Sequence, residues 1–178
     1  MTLDRPRPPA PPAALILGTP EHLIAFGFGS GLAPLAPGTA GTLVAVPIWL
    51  AMLWLPLPLF LAGLVLLFAF GCWVTGESAR LLGVHDHPGI TFDEIVGFLI
   101  AASPLLPDGG RLPEVSAGSL ALGTLAAFLL FRLFDIAKPW PIRLLDEHLG
   151  GGFGIMADDA AAGLLAAMVL AVGLGLLG

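Results

Sequence analysis

The sequence has little charge and almost no cysteine. Of 178 residues only 11% are Asp, Glu, Lys or Arg, none is Tyr and one is Cys. Water-soluble domains carry about 25% charged residues, so an ordinary soluble globule is excluded. The lone Cys72 can form no intrachain disulfide, which excludes a disulfide scaffold. Cations are scarcer than acids: seven Lys and Arg stand against thirteen Asp and Glu, a formal net charge of −6. Nucleic-acid binding rests on clustered cations and is excluded with them. Apolar residues are abundant, at 57% of the chain with a mean hydropathy of +0.94, which excludes disorder.

The apolar residues come in runs. A transmembrane helix needs roughly 20 of them. Thr39–Leu55 and Leu57–Gly76 lie in one 38-residue stretch without a charge, and Pro56 and Pro58 in its middle predict a hairpin turn. Ile95–Leu106 is only 12 residues long, so it reads as a short span, a re-entrant helix or a buried core helix. Val115–Phe134 follows, with Arg132 near its end, and Ala160–Gly178 is the last run. The fold class is therefore all-α: a polytopic helical membrane protein of about five apolar helices, with a polar site on its cytoplasmic face. Residues 1–20 read as a flexible Pro-rich tail and 21–178 as a single helical domain. The short Ala13–Leu17 run, with no small-residue cleavage site after a long apolar core, does not make a signal peptide.

Cations set the expected orientation. With the N-terminus in the cytoplasm, Arg5, Arg7, Arg80, Arg132, Lys138 and Arg143 fall inside and only Arg111 outside, as the positive-inside rule expects. Three polar segments then share the cytoplasmic face: Glu21–Pro37, Glu77–Glu94 and Arg132–Asp159.

Each of these segments carries candidate chemistry. In the first, Gly29, Ser30 and Gly31 belong to a glycine-rich stretch whose backbone amides could approach a phosphate, or which simply turns at the membrane interface. In the second, Asp93 and Glu94 open an apolar helix, with Thr91 as the expected N-cap. Adjacent carboxylates at the mouth of a membrane segment carry a desolvation cost unless a cation compensates them. Asp86 lies just upstream, flanked by His85 and His87, which could ligate a metal or act as an acid but are more often neither.

The third segment holds Arg132, Asp135, Lys138 and Arg143 around Pro139-Trp140-Pro141, then Asp158 and Asp159 after a glycine-rich stretch. Its cations could hold phosphate or merely anchor to lipid headgroups. Gly89–Glu94 and Gly154–Asp159 share the order Gly, Ile, two residues, acidic pair. The expectation is two helix mouths presenting carboxylates to one space, an oxygen-rich set that suits Mg²⁺ or Mn²⁺. No hydroxyl or thiol nucleophile stands out.

Four strings go further. Gly27–Thr42 (GFGSGLAPLAPGTAGT), Asp93–Gly97 (DEIVG), Phe131–Ile142 (FRLFDIAKPWPI) and Gly151–Gly163 (GGFGIMADDAAAG) resemble the phosphatidylglycerophosphatase A family, from about Leu23 to the end of the chain. The resemblance implies an all-helical protein of the bacterial inner membrane. It also implies Mg²⁺-dependent removal of the terminal phosphate of phosphatidylglycerophosphate to give phosphatidylglycerol. The expected metal carboxylates are Asp93, Glu94, Asp158 and Asp159, with Asp135 and Asp86 beside them. Lys138 is expected to be catalytic and, with Arg132, Arg143 and Gly29–Gly31, to bind phosphate. The chain alone also admits a non-enzymatic divalent-cation binder or transporter, or a purely structural membrane protein, and leaves a homo-oligomer open.

Overall fold

Prolines and glycines decide where the helices start and stop. In the computed structural model, which describes residues 11–106 and 116–177, the α-helices are α1 (Ala13–Gly18), α2 (Pro20–Ala25), α3 (Pro37–Met52), α4 (Leu57–Leu82), α5 (Phe92–Ala102), α6 (Ala117–Ala137), α7 (Ile142–His148) and α8 (Gly151–Leu177). Pro20 and Pro37 stand at the first position of α2 and α3, where a missing N–H leaves no helical bond unmade. Gly83, at φ +67°, ends α4 in the left-handed conformation, and its N–H donates to the Arg80 carbonyl at 3.1 Å. Pro139 stops α6, and Lys138 before it turns to φ +40°. The turn expected at Pro56 joins α3 to α4.

Among the described residues only α4, α6 and α8 are long and apolar enough to cross a membrane alone; α3 is a shorter apolar helix. The expected five apolar segments are all helical, but two fall short of a full span. With 11 residues, α5 extends about 16 Å, roughly half of a hydrocarbon core. It is the buried core helix of the three alternatives, with Ile95, Val96, Phe98, Leu99, Ala101 and Ala102 all enclosed. Such a helix needs no lipid contact, because α3, α4, α6 and α8 surround it. Past α5, a 3₁₀ turn at Ser103–Leu105 brings Leu105 against Gly123 of α6.

Glycine makes the close packing feasible. A Cβ at Gly97 would collide with the Phe131 ring and the Asp159 carbonyl, and one at Gly163 with the Gly97 carbonyl, so α5 and α8 meet backbone to backbone. In the same way Gly152 lies against the Cys72 carbonyl of α4. The glycine-rich stretch before Asp158 is thus the packing face of a helix rather than a loop. α8 begins at Gly151 instead of Ala160, and Asp158 and Asp159 lie two turns inside it, not at its mouth. Among the described residues helical order likewise begins at Ala13, inside the stretch assigned to the tail, and Ile16 is buried.

These contacts align the helix ends. The starts of α3, α5 and α8 and the ends of α4 and α6 gather at one end of the bundle, where Gly38 meets Glu94 and Arg132 and Gly76 meets Gly152. The four Lys and Arg among the described residues, Arg80, Arg132, Lys138 and Arg143, lie in elements at that end. Arg5, Arg7 and Arg111 lie outside the described residues.

Two alanine substitutions test this packing. Gly152→Ala should destabilise by about 1–3 kcal/mol, the scale of overpacking, or about 2–10 °C in melting temperature. Gly173→Ala, where no atom lies within 4 Å of the added carbon, should hold or raise it. Thermal unfolding in detergent checks both. Equal melting temperatures for the two variants would refute the close α4–α8 contact.

Candidate active site

Carboxylates meet where the start of α5 packs against α8, two turns past the start of α8. Asp93 and Glu94 occupy the first turn of α5, and Asp159 faces them from α8. One oxygen from each of the three lies within 4.8 Å of the others. Asp93 Oδ1, Glu94 Oε2 and Asp159 Oδ2 are sealed from solvent and form no hydrogen bond. Three like charges desolvated together repel and lose hydration, and no protein donor compensates these oxygens. A hard divalent cation with oxygen ligands fits this donor set, since Mg²⁺ takes carboxylates together with water and phosphate oxygens.

Adjacent residues on a helix point about 100° apart, so Asp158 and Asp159 divide their roles. Asp158 turns to Lys138, whose Nζ donates to Asp158 Oδ2 at 2.6 Å and to Asp146 Oδ1 at 2.6 Å. Burial by itself would lower the Lys138 pKa, but Asp146 and Asp158 outweigh it and raise it above the usual lysine range. Lys138 is thus a fixed positive charge beside the acids. Asp146, on α7, was not among the sequence candidates. Between Arg143 and Glu147 it reads as an ordinary solvated helix residue, and only the turn at Pro139–Pro141 brings it back to Lys138.

Both sets line one cavity of about 180 Å³, which Asp135 and Asp86 also face. Arg132 Nη1 lies 2.6 Å from Asp135 Oδ2, an ion pair without hydrogen-bond alignment, and its Nε is buried with no partner. His85 and His87 border the cavity too. The Gly89 N–H donates to His87 Nδ1 at 3.0 Å. Burial lowers the His87 pKa against the opposing effect of Asp86, so the ring is neutral and carries its proton on Nε2.

Other sequence candidates lie elsewhere. Gly29, Ser30 and Gly31 do not line the cavity. Gly31 packs on the Gly89 backbone, and Ser30 Oγ lies 3.1 Å from Thr91 Oγ1, so this segment braces the loop leading into α5. Thr91 precedes α5 without capping it, its hydroxyl being turned to Ser30. Arg143 pairs with Glu147 at 2.7 Å on the exposed face of α7.

The family described as Phosphatidylglycerophosphatase A matches residues 23–174. The Phosphatidylglycerophosphatase A of Escherichia coli (strain K12) is 40% identical over 156 residues, covering 88% of this chain and 84% of the relative. That of Haemophilus influenzae is 43% identical over 152 residues, 85% and 86% of the two chains. A Bacteroides thetaiotaomicron protein, named as a candidate phosphatidylinositol-3-phosphatase, is 42% identical over 157 residues, 84% and 91% of the two chains. No solved structure matches significantly.

Neutralising one of the crowded carboxylates tests their electrostatics without any turnover. In a chelator, Asp159→Asn should raise the melting temperature by about 2–8 °C, since relieving a buried charge is worth about 1–4 kcal/mol. Added Mg²⁺ should stabilise the wild type and should stabilise this variant less than half as much. A Mg²⁺ response that survives Asp159→Asn in full would remove Asp159 from the cation site.

Proposed function

The chain belongs to the phosphatidylglycerophosphatase A family, and from that premise we propose that it hydrolyses the terminal phosphate of phosphatidylglycerophosphate, releasing phosphatidylglycerol and inorganic phosphate. The observation that supports this reading is the junction of a cation with a hydrogen-bond-free carboxylate trio in one small cavity. At about 180 Å³ the cavity is below the range of pockets that enclose whole ligands, so it suits a phosphoryl headgroup and not the lipid tails.

Asp93, Glu94 and Asp159 would hold Mg²⁺, with Asp158, Asp135 and Asp86 around them. When bound, a divalent ion there would offset the repulsion between substrate phosphate and acidic protein and would make water at the site easier to deprotonate. Lys138 binds the oxygens of the terminal phosphoryl group and stabilises the charge that grows on them. Asp158 and Asp146 keep the ammonium in place. Arg132, one turn before Asp135, is the second cation for the headgroup. Among the described residues the cavity lining includes no hydroxyl or thiol; in this reading water is the nucleophile and a carboxylate of the cluster takes its proton. The phosphorus–oxygen bond to the glycerol then breaks, and the alcohol leaves with a proton. We place the protein in the bacterial inner membrane with this end toward the cytoplasm, in keeping with the cations at that end.

Release of inorganic phosphate from phosphatidylglycerophosphate by the purified protein in neutral detergent micelles tests the reading. A folded protein that releases none, in the presence of Mg²⁺, refutes it and leaves the cation-binding alternative. Phosphatidylinositol 3-phosphate in parallel tests the substrate: faster turnover of that lipid would overturn the headgroup assignment. Lys138→Met should lower kcat by about a hundredfold or more, the scale on which electrostatic stabilisers act, and Lys138→Arg should recover only part of it. A kcat within twofold of wild type for Lys138→Met would reduce this residue to a headgroup anchor. Orientation is read separately. A cysteine at His85 in a Cys72→Ser background should resist impermeant thiol reagents applied from the periplasm, and labelling from that side would reverse the topology.

A further inference from the structure

A diacyl lipid whose headgroup fills the acidic cavity must leave its chains in the hydrocarbon next to it. α3 and α6 both pack on α5 but barely touch each other, and between them runs an apolar cleft of about 430 Å³. Its α3 wall is formed by Leu43, Val46 and Leu50, and its α6 wall by Ala121, Thr124 and Phe128. Those positions are three and four apart, one stripe along each helix. Continued toward the site, the α6 stripe reaches Arg132, while the start of α3 reaches Gly38, whose backbone lies against the Arg132 guanidinium and Glu94.

One turn beyond the headward end of the cleft, Arg132 and Gly38 therefore adjoin the residues that wall the acidic cavity. Glu94 and Asp135 border that cavity, and Asp135 is the ion-pair partner of Arg132. Along this line lie apolar walls first, then the half-buried cation Arg132, then the acids and Lys138. That order is the order of parts in a phospholipid: alkyl chain, phosphodiester, terminal phosphate. Thr124 belongs to the cleft wall, and its Oγ1 is buried without a hydrogen-bond partner. Phe128 is held edge-on by Phe98 of α5, with ring centroids 6.2 Å apart, which gives the headward end a firm wall. Resting on the phosphatase reading, we propose that the α3–α6 cleft binds one acyl chain of the lipid substrate and guides its headgroup past Arg132 into the acidic cavity.

Two measurements test it. In neutral micelles, Ala121→Phe fills the cleft and should lower the ratio of kcat/KM for diacyl phosphatidylglycerophosphate to that for its deacylated headgroup at least tenfold, chiefly through KM for the lipid. Val65→Phe, on the exposed face of α4, should leave that ratio unchanged. An equal loss on both substrates would mark a merely structural effect and overturn the proposal, as would no loss. The second measurement needs no turnover. Phosphatidylglycerol with a diazirine in mid-chain, in nanodiscs of zwitterionic lipid, should crosslink to Leu43–Leu50 and Ala117–Phe128. Excess unlabelled phosphatidylglycerophosphate should suppress those crosslinks at least fivefold without affecting those to Val65 and Leu66. Uniform labelling that resists competition would show ordinary surrounding lipid only and overturn the cleft. Absence of phosphate release by the wild type would instead overturn the phosphatase reading, so the two failures are separate.

Discussion

Three carboxylates, Asp93, Glu94 and Asp159, stand together inside a bundle with few charges to offset them, and each has a buried oxygen that hydrogen-bonds to nothing. Their desolvation and mutual repulsion form the constraint around which the surrounding structure is arranged. Asp93 and Glu94 lie in the first turn of α5, where the helix dipole favours negative charge. Arg132 and Lys138 approach from the end of α6, each already paired with a carboxylate of its own. The protein's own cations thus offset the rim of the cluster and leave its centre uncompensated.

Holding that centre together requires two helices to approach more closely than side chains permit. Gly97 and Gly163 allow it between α5 and α8, and Gly76 and Gly152 between α4 and α8. Within a bilayer there is no hydrophobic gain in helix–helix association, so small residues and van der Waals contact supply the attraction. The same closeness lets α5 remain half a span in length. Enclosed by its neighbours, it exposes little to lipid and carries its acidic turn to the level where the other helices end.

Lys138 shows how a loop residue becomes a fixed charge. Pro139 ends α6 and forces Lys138 out of helical geometry, and α7 returns over it with Asp146. Clamped between Asp146 and Asp158, the ammonium loses the freedom a surface lysine has, and its position relative to the carboxylate trio is set before any substrate arrives. Under the proposed reading, preorganisation of this kind would make the charge effective on a developing transition state.

Much of this was legible along the chain. Hydropathy placed an all-helical membrane protein, Pro56 placed the hairpin between α3 and α4, and the strings around Asp93, Lys138 and Asp158 marked residues that line one cavity, because each of these is a local property of neighbouring residues. Three features were not legible. The glycines before Asp158 read as a loop, since glycine is poor in an isolated helix, and only contact with Cys72 and Gly76 of α4 turns them into a packing face. Ser30 read as a phosphate ligand until the fold placed it against Thr91. Asp146 read as solvated surface until α7 closed over Lys138. The amino-acid order by itself determined the solvent the protein lives in, the helices it forms and the residue types of its chemistry. Which of those residues meet was decided by the tertiary structure, because the meeting depends on helix ends brought into register by backbone contacts between segments far apart in the chain.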